Sequence, residues 1–98
     1  MDKLNALADP TRRAIFESLL ETPLAVGALA DRHPVSRPAV SQHLKVLAGA
    51  GLVKVRAEGT RRIYHPDPEG LVDLRRWVES MWDRVLDSYE SAARKESK

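Results

Sequence analysis

The sequence contains no cysteine. This absence excludes disulfide bonds, thiol redox sensing, thiolate catalysis and cysteine-ligated zinc. Long apolar runs are missing too, so no segment is predicted to cross a membrane. The N-terminal segment, which begins Met1-Asp2-Lys3, does not resemble a signal peptide, and we expect a cytoplasmic location. A length of 98 residues and a hydrophobic content of 43% predict a single domain, residues 1–98, around one core.

The sequence also lacks the features of an enzyme. It shows no activated nucleophile, no glycine-rich phosphate loop and no pair of carboxylates in a predicted cleft. We therefore expect a protein that binds a partner and uses no cofactor, rather than one that catalyses a reaction.

Acidic residues are nearly absent from the middle third of the chain. Residues 32–66 contain seven Lys and Arg residues and a single acidic residue, Glu58, whereas acidic residues are in excess on both sides. Concentrated positive charge is typical of a surface that binds a polyanion. The alternative is a chance cluster of charge on a solvated surface.

The most informative segment of the basic third is Val35–Leu47. Drawn as a helix, it places Val40, Leu44 and Leu47 on one face, at steps of four and three residues. The opposite face carries Pro38, Gln42 and Lys45, flanked by Ala39 and Ser41. Because this outer face is polar, basic and free of carboxylates, it suits contact with phosphates and base edges.

Helix signals precede this segment. Residues 3–8 form a short helical pattern with Leu4, Leu7 and Ala8 on one side, and Asp9-Pro10 predicts a helix start. That helix is expected to reach Leu20 or Glu21 and to bury Ile15, Phe16, Leu19 and Leu20. A short helix at about 26–32, a turn, an N-cap at Ser36 and a left-handed C-cap at Gly51 then predict a helix-turn-helix over about residues 26–50.

A β-hairpin is predicted at about residues 52–65. Residues 52–56 alternate apolar and basic side chains, Gly59 suits a turn, and residues 61–65 supply the partner strand. The tip presents Thr60, Arg61 and Arg62 to the outside, so we interpret the hairpin as a wing.

A long C-terminal helix is predicted at about residues 68–94. One side of it carries a wide apolar stripe that includes Trp77, Leu86 and Tyr89, and one small domain cannot easily cover so much apolar surface. We expect a second copy of the chain to cover it, with the C-terminal helix packed beside the N-terminal one. The predicted dimer interface is Leu4, Leu7, Leu71, Leu74, Val78, Met81, Trp82 and Val85. The alternative is a helix that folds back on its own domain.

Taken in order, these segments resemble the ArsR/SmtB family of bacterial winged-helix repressors. The resemblance is carried by residues 6–12, Leu29-Ala30, residues 36–47, Gly51-Leu52-Val53 and residues 59–64 of the wing. It implies a mainly α fold with a small β-hairpin, a winged helix-turn-helix of order α-α-α-α-β-β-α. It also implies a homodimer, joined through its terminal helices, that represses transcription from a palindromic operator in double-stranded DNA.

The resemblance places eight residues at the positions of the family's recognition helix: Ser36, Arg37, Pro38, Ala39, Ser41, Gln42, His43 and Lys45. The chemistry agrees, because Gln42 can form two hydrogen bonds with adenine, while Ser41 and Lys45 suit phosphate or guanine. Ser36 also caps the helix, and His43 is expected to be structural or to face a phosphate.

From the wing, Thr60, Arg61 and Arg62 complete the predicted DNA-binding set. Alternation along a strand allows only one of these two arginines to face DNA. Near the N-terminus, Arg12 and Arg13 either pair with Asp9 or contact a phosphate.

The sequence departs from the metal-sensing members of this family. It has no cysteine, and none of His33, His43 and His65 lies on the C-terminal helix, whose acidic residues alternate with arginines as on a solvated face. A transition-metal site needs at least one imidazole at ligand spacing, which only His33 and His65 from two subunits could supply. We expect no metal site, and a small-molecule inducer, if there is one, is not identified.

The competing interpretation is a winged-helix module for protein interaction, or an architectural DNA binder with little sequence preference. It predicts a steep salt dependence without a defined operator.

Overall fold

The computed structural model describes residues 2–96, and within them five helices and two strands follow the predicted order. The elements are α1 (Asp2–Ala8), α2 (Pro10–Glu21), α3 (Val26–Arg32), α4 (Arg37–Gly49), β1 (Val53–Glu58), β2 (Arg61–Pro66) and α5 (Pro68–Glu96). The mainly α fold with a hairpin wing is confirmed, and α5 continues two residues beyond its predicted end.

Two side chains begin the main helices as predicted. The carboxylate of Asp9 accepts a hydrogen bond of 2.8 Å from the backbone N–H of Arg12, which caps α2, and Pro10 occupies the first turn. The hydroxyl of Ser36 accepts one of 3.3 Å from the N–H of Ala39 and caps α4. Each cap pairs a backbone donor that the helix itself leaves without a partner.

The end of α4 is a Schellman motif. Gly51 has φ 78°, its N–H donates to the Ala48 carbonyl at 3.0 Å, and the N–H of Leu52 donates to the Leu47 carbonyl at 3.0 Å. A positive φ is nearly free of strain only for glycine. The predicted left-handed cap at Gly51 is therefore confirmed.

The core lies between the helices and the base of the hairpin. Its fully buried side chains come from α2, α3, α4 and the start of the wing, and they include Ile15, Phe16, Leu19, Leu29, Val40, Leu44, Leu47, Leu52 and Val53. The inward face predicted for α4 is confirmed. Burial of these side chains supplies the main driving force for folding, at about 25 cal/mol per Å² of apolar surface.

One burial prediction, that for Leu20, was wrong, and two other positions depart from a simple apolar pattern. Leu20 is 52% exposed, because it lies about 40° beyond Phe16 around α2, at the edge of the inward stripe. In α1 the buried residue is Ala6, on the opposite side from Leu4, and Ala8 is exposed. Val55 is 39% exposed, because the hairpin leaves the helices after its base and the inward side of β1 then faces solvent.

The hairpin is antiparallel and joined to the helices at its base. Its pairs run from Val53↔Pro66 to Glu58↔Arg61 at the tip. The N–H of Tyr64 donates to the Leu24 carbonyl at 2.9 Å, and the N–H of Leu24 donates to the Tyr64 carbonyl at 3.3 Å. A two-stranded hairpin is marginally stable alone, and these two bonds fix it to the segment before α3.

Helix α5 begins against the domain and then extends away from it. The N–H of Asp67 donates to the Leu52 carbonyl at 2.8 Å, Gly70 is buried beside the backbone of Gly51, and Lys3 lies 3.8 Å from the carboxylate of Asp73. From residue 75 to residue 93 every side chain is exposed. The molecule is accordingly elongated, 68 × 25 × 21 Å, and α5 does not fold back on its own domain.

Candidate nucleic-acid interface

Helix α4 presents a polar outer face. Pro38, Ser41, Gln42 and Lys45 are exposed, opposite the buried Val40, Leu44 and Leu47. Ala39 and His43 are half-buried at the edges of this face. The structure thus brings together, on one side of one helix, the groups that hydrogen-bond bases and phosphates.

The N-terminal end of α4 carries a cation that lies against another helix. Arg37, the first residue of α4, is exposed, and its guanidinium lies across Gly27 in the first turn of α3. A Cβ built on Gly27 would stand 3.1 Å from Nη2 of Arg37 and 3.3 Å from its Cζ. Sequence reasoning placed Arg37 in the interface but missed Gly27, whose only sequence signal is a glycine inside a short helix.

The tip of the wing extends the basic surface. Residues 57–62 are all exposed, and Gly59 turns the chain with φ 66°. Arg61 projects to the same side of the hairpin as Ile63, whereas Arg62 projects to the opposite side, as alternation along β2 requires. Glu58, the acidic residue of this region, lies 3.5 Å from Nε2 of His65.

The carboxylate that caps α2 is stabilised in its charged form. The pKa of Asp9 lies below its ordinary value, mainly because the backbone N–H of Arg12 donates to the carboxylate. The positive charge of Arg12 adds to this lowering. His43 is half-buried at the edge of the outer face of α4, and its role stays a prediction.

The arginines at the start of α2 cap the end of α1. Nε of Arg12 donates to the Ala6 carbonyl, its Nη2 to the Asn5 carbonyl at 3.3 Å, and Nη1 of Arg13 to the Leu7 carbonyl at 3.2 Å. These bonds satisfy carbonyls that α1 leaves without a partner and place cations at the negative end of its dipole. The ion pairs found among the described residues do not include one between Asp9 and either arginine, and the phosphate contact considered from the sequence stays a prediction.

Helix α5 carries the exposed apolar stripe. Leu71 and Leu74 are half-buried near the domain, whereas Val78, Met81, Trp82 and Val85 are exposed on one side of the helix. Trp82 is 61% exposed, and Tyr89 further along is 76% exposed. On α1, Leu4 and Leu7 are partly exposed. A run of exposed apolar side chains along one side of a helix is typical of an interaction site.

His33 and His65 contact different parts of the structure. Nε2 of His33 lies 2.9 Å from the hydroxyl of Ser18 in α2, and His65 lies near Glu58. Among the described residues, no three His, Asp or Glu side chains converge as a metal site requires. None of the helices between residues 2 and 96 combines the length and the apolar character needed to cross a bilayer.

Comparisons with known proteins give one consistent result. The family described as "Helix-turn-helix domain" matches residues 7–56. The chain is 61% identical over 84 residues to the HTH-type transcriptional regulator Rv2034 of Mycobacterium tuberculosis, which covers 86% of this chain and 78% of that protein.

Solved structures agree with this match. The ArsR-like transcriptional regulator from Rhodococcus sp. RHA1 superposes with a TM-score of 0.78 at 33% identity, over 94% of this chain and 90% of that one. The homodimeric winged helix-turn-helix DNA-binding domain Mb0332 of Mycobacterium bovis, a possible ArsR-family transcriptional regulator, superposes with a TM-score of 0.68 at 32% identity, over 84% and 76% of the two chains.

Proposed function

Because this chain belongs to the ArsR/SmtB family of winged helix-turn-helix transcriptional regulators, we propose that it binds a palindromic operator in double-stranded DNA as a homodimer. Bound there, it represses transcription by blocking polymerase. The observation that carries this proposal is the outer face of α4, which exposes Gln42 and Lys45 and contains no carboxylate. The proposal involves no catalytic step and places the protein in the cytoplasm.

In this proposal α4 lies in the major groove and Gln42 reads a base. An exposed Gln can donate to and accept from adenine at once, which discriminates adenine from the other bases. Ser36, Arg37, Ser41 and Lys45 fix the position of the helix through phosphates, and Pro38 and Ala39 approach a thymine methyl group. A protein that bound only phosphates would have no need of an amide at position 42.

The wing supplies contacts to the flanking backbone. Thr60, Arg61 and Arg62 are exposed at its tip, and the positive charge of the arginines adds counterion release to the affinity without reading sequence. Since Arg61 and Arg62 project to opposite sides of the hairpin, each monomer directs one of them toward the duplex.

The exposed stripe of α5 supports the homodimer. Val78, Met81, Trp82 and Val85 are apolar and exposed in a single chain, and a second copy that packs α5 against α5, beside α1, removes them from water. Leu4, Leu7, Leu71 and Leu74 continue the same interface toward the domain. Two copies related by a two-fold axis then present two α4 helices to the two halves of a palindrome.

The experiment that tests the proposal is selection of binding sites from random double-stranded DNA, followed by titration of the selected operator. We expect a palindromic site. Gln42→Ala should lose discrimination at one base pair per half-site, by about 1–3 kcal/mol, while the other positions of the operator keep theirs as internal controls.

Other outcomes would point elsewhere. Binding to all sequences with a steep salt dependence would identify an architectural DNA binder, and the absence of DNA binding would favour a protein-interaction module. An inducer, if the protein has one, acts without a thiol of these 98 residues.

A further inference from the structure

Gly27 occupies a helical position where glycine has no conformational advantage. It is the second residue of α3, and its φ is not positive, unlike those of Gly51 and Gly59. Glycine inside a helix lowers stability relative to alanine. The reason for glycine at position 27 must therefore be space.

The space above Gly27 is filled by the guanidinium of Arg37. The three heavy atoms that a Cβ at position 27 would meet first are Nη2, Cζ and Nη1 of Arg37, at 3.1, 3.3 and 3.6 Å. The two nearer distances are shorter than ordinary van der Waals contact, so an added methyl group would move the guanidinium by a few tenths of an ångström.

This placement of Arg37 does little for the fold itself. None of the ion pairs that the structure shows among residues 2–93 includes Arg37. Its guanidinium lies beside the first turn of α3, the positive end of that helix, where a cation is electrostatically unfavourable. The ion pairs of the described residues therefore do not account for the position of this cation.

We propose that Gly27 is a positioning residue for DNA binding: by lacking a side chain, it leaves room for the Arg37 guanidinium beside α3, from where the guanidinium meets a DNA phosphate at the start of α4. The inference rests on the proposed function. In this proposal Gly27 does not itself contact DNA and lies outside the recognition helix. It affects binding through the position of Arg37. A methyl group at position 27 would displace the guanidinium by a few tenths of an ångström, and a charge-assisted hydrogen bond to phosphate depends on its distance and direction.

The test uses Gly27→Ala in the full chain, with two readouts that should move in opposite directions. The thermal midpoint should stay equal or rise, because alanine favours the helix and only the end of a flexible side chain must shift. Affinity for the selected operator should fall about three- to tenfold, against about tenfold or more for Arg37→Ala.

Two controls make the result specific. Gly49→Ala, in the last turn of α4, adds the same methyl group where nothing lies within 4 Å, and it should leave affinity unchanged. In an Arg37→Ala background, Gly27→Ala should have no further effect on affinity, since the group it displaces is gone.

Three outcomes would overturn the inference. Gly27→Ala could bind the operator as tightly as the original chain, weaken binding equally without Arg37, or lower the thermal midpoint. If the unchanged protein selects no operator and binds no DNA, the proposed function fails. If it binds an operator but Gly27→Ala gives one of the three outcomes above, only the role of Gly27 fails.

Discussion

Replacing Gly70 by alanine tests how α5 is joined to the rest of the domain. Gly70 is buried in the first turn of α5, and a Cβ built on it would overlap the carbonyl oxygen of Gly51 and stand 2.8 Å from its carbonyl carbon. Both neighbouring atoms are backbone, and Gly51 is held at φ 78° by the turn that ends α4. No side-chain rotation relieves this overlap, so the start of α5 must move away from the end of α4.

The expected magnitude follows from opposing terms. Alanine gains at most about 1 kcal/mol over glycine in helix propensity. Overpacking a buried contact costs about 1–3 kcal/mol, and weakening the backbone bond from Asp67 to Leu52 costs about 0.5–1.5 kcal/mol more. The net loss is about 0.5–3.5 kcal/mol, which lowers the melting temperature of a domain of this size by roughly 2–28 °C.

Thermal unfolding followed by circular dichroism measures this loss. All samples need equal protein concentration, because dimerisation makes the midpoint depend on concentration. Gly49→Ala is the matched control, since it adds a methyl group to a helical glycine with open space around it, and it should melt at or slightly above the unchanged chain. The reasoning would be refuted by a Gly70→Ala protein that melts as high as its Gly49→Ala counterpart.

Three further predictions concern the other surfaces. Met81→Glu should yield monomers with weak operator affinity, whereas Val72→Glu, 44% exposed on the opposite side of α5, should leave the dimer intact in sedimentation experiments. Arg62→Ala should weaken binding to all DNA sequences and lower the slope of log K against log salt by up to about 0.9, while Arg75→Ala, with the same charge change on α5, should not. Asp9→Ala should melt below the unchanged chain at neutral pH. Because the pKa of folded Asp9 is lowered, its contribution is complete above the unfolded pKa and is lost as pH falls through the folded value, so the two melting temperatures should converge in acid.

Local signals in the sequence predicted most of the fold. Asp9, Ser36 and Gly51 act on backbone groups within a few residues of themselves, so their roles as caps can be inferred without knowing the tertiary structure. The inward stripe of α4 could be predicted equally well, because Val40, Leu44 and Leu47 follow helical spacing.

The failed burial prediction for Leu20, and the two departures from a simple apolar pattern, lie at positions where packing decides. Leu20 continues an apolar pattern, but the inward arc of α2 ends at Phe16, and periodicity alone does not set the width of that arc. The hairpin is longer than the surface that supports it, which exposes Val55. For α1, the small Ala6 is the buried residue, while Leu7 is partly buried against the core and Leu4 is partly exposed.

The contacts that Gly27 and Gly70 make with residues distant in the sequence could not be predicted. Gly27 meets Arg37, and Gly70 meets Gly51, only once α3, α4 and α5 are in place. A glycine inside a helix signals that something approaches closely, but the sequence does not say what. Of the candidate interface, the residues on α4 and at the wing tip were located correctly, and their roles in binding stay predictions.

The bonds at Leu52 also determine where the chain tolerates a change in length. Its N–H is held by Leu47, its carbonyl by Asp67, and its side chain is buried. An insertion or deletion on either side of it would break the alignment of α4, β1 and α5 together. At the wing tip, residues 59 and 60 are exposed and lie beyond the last strand pair. Extra residues can be added there, which makes the tip the place to graft a longer hairpin or a reporter peptide without disturbing the helices.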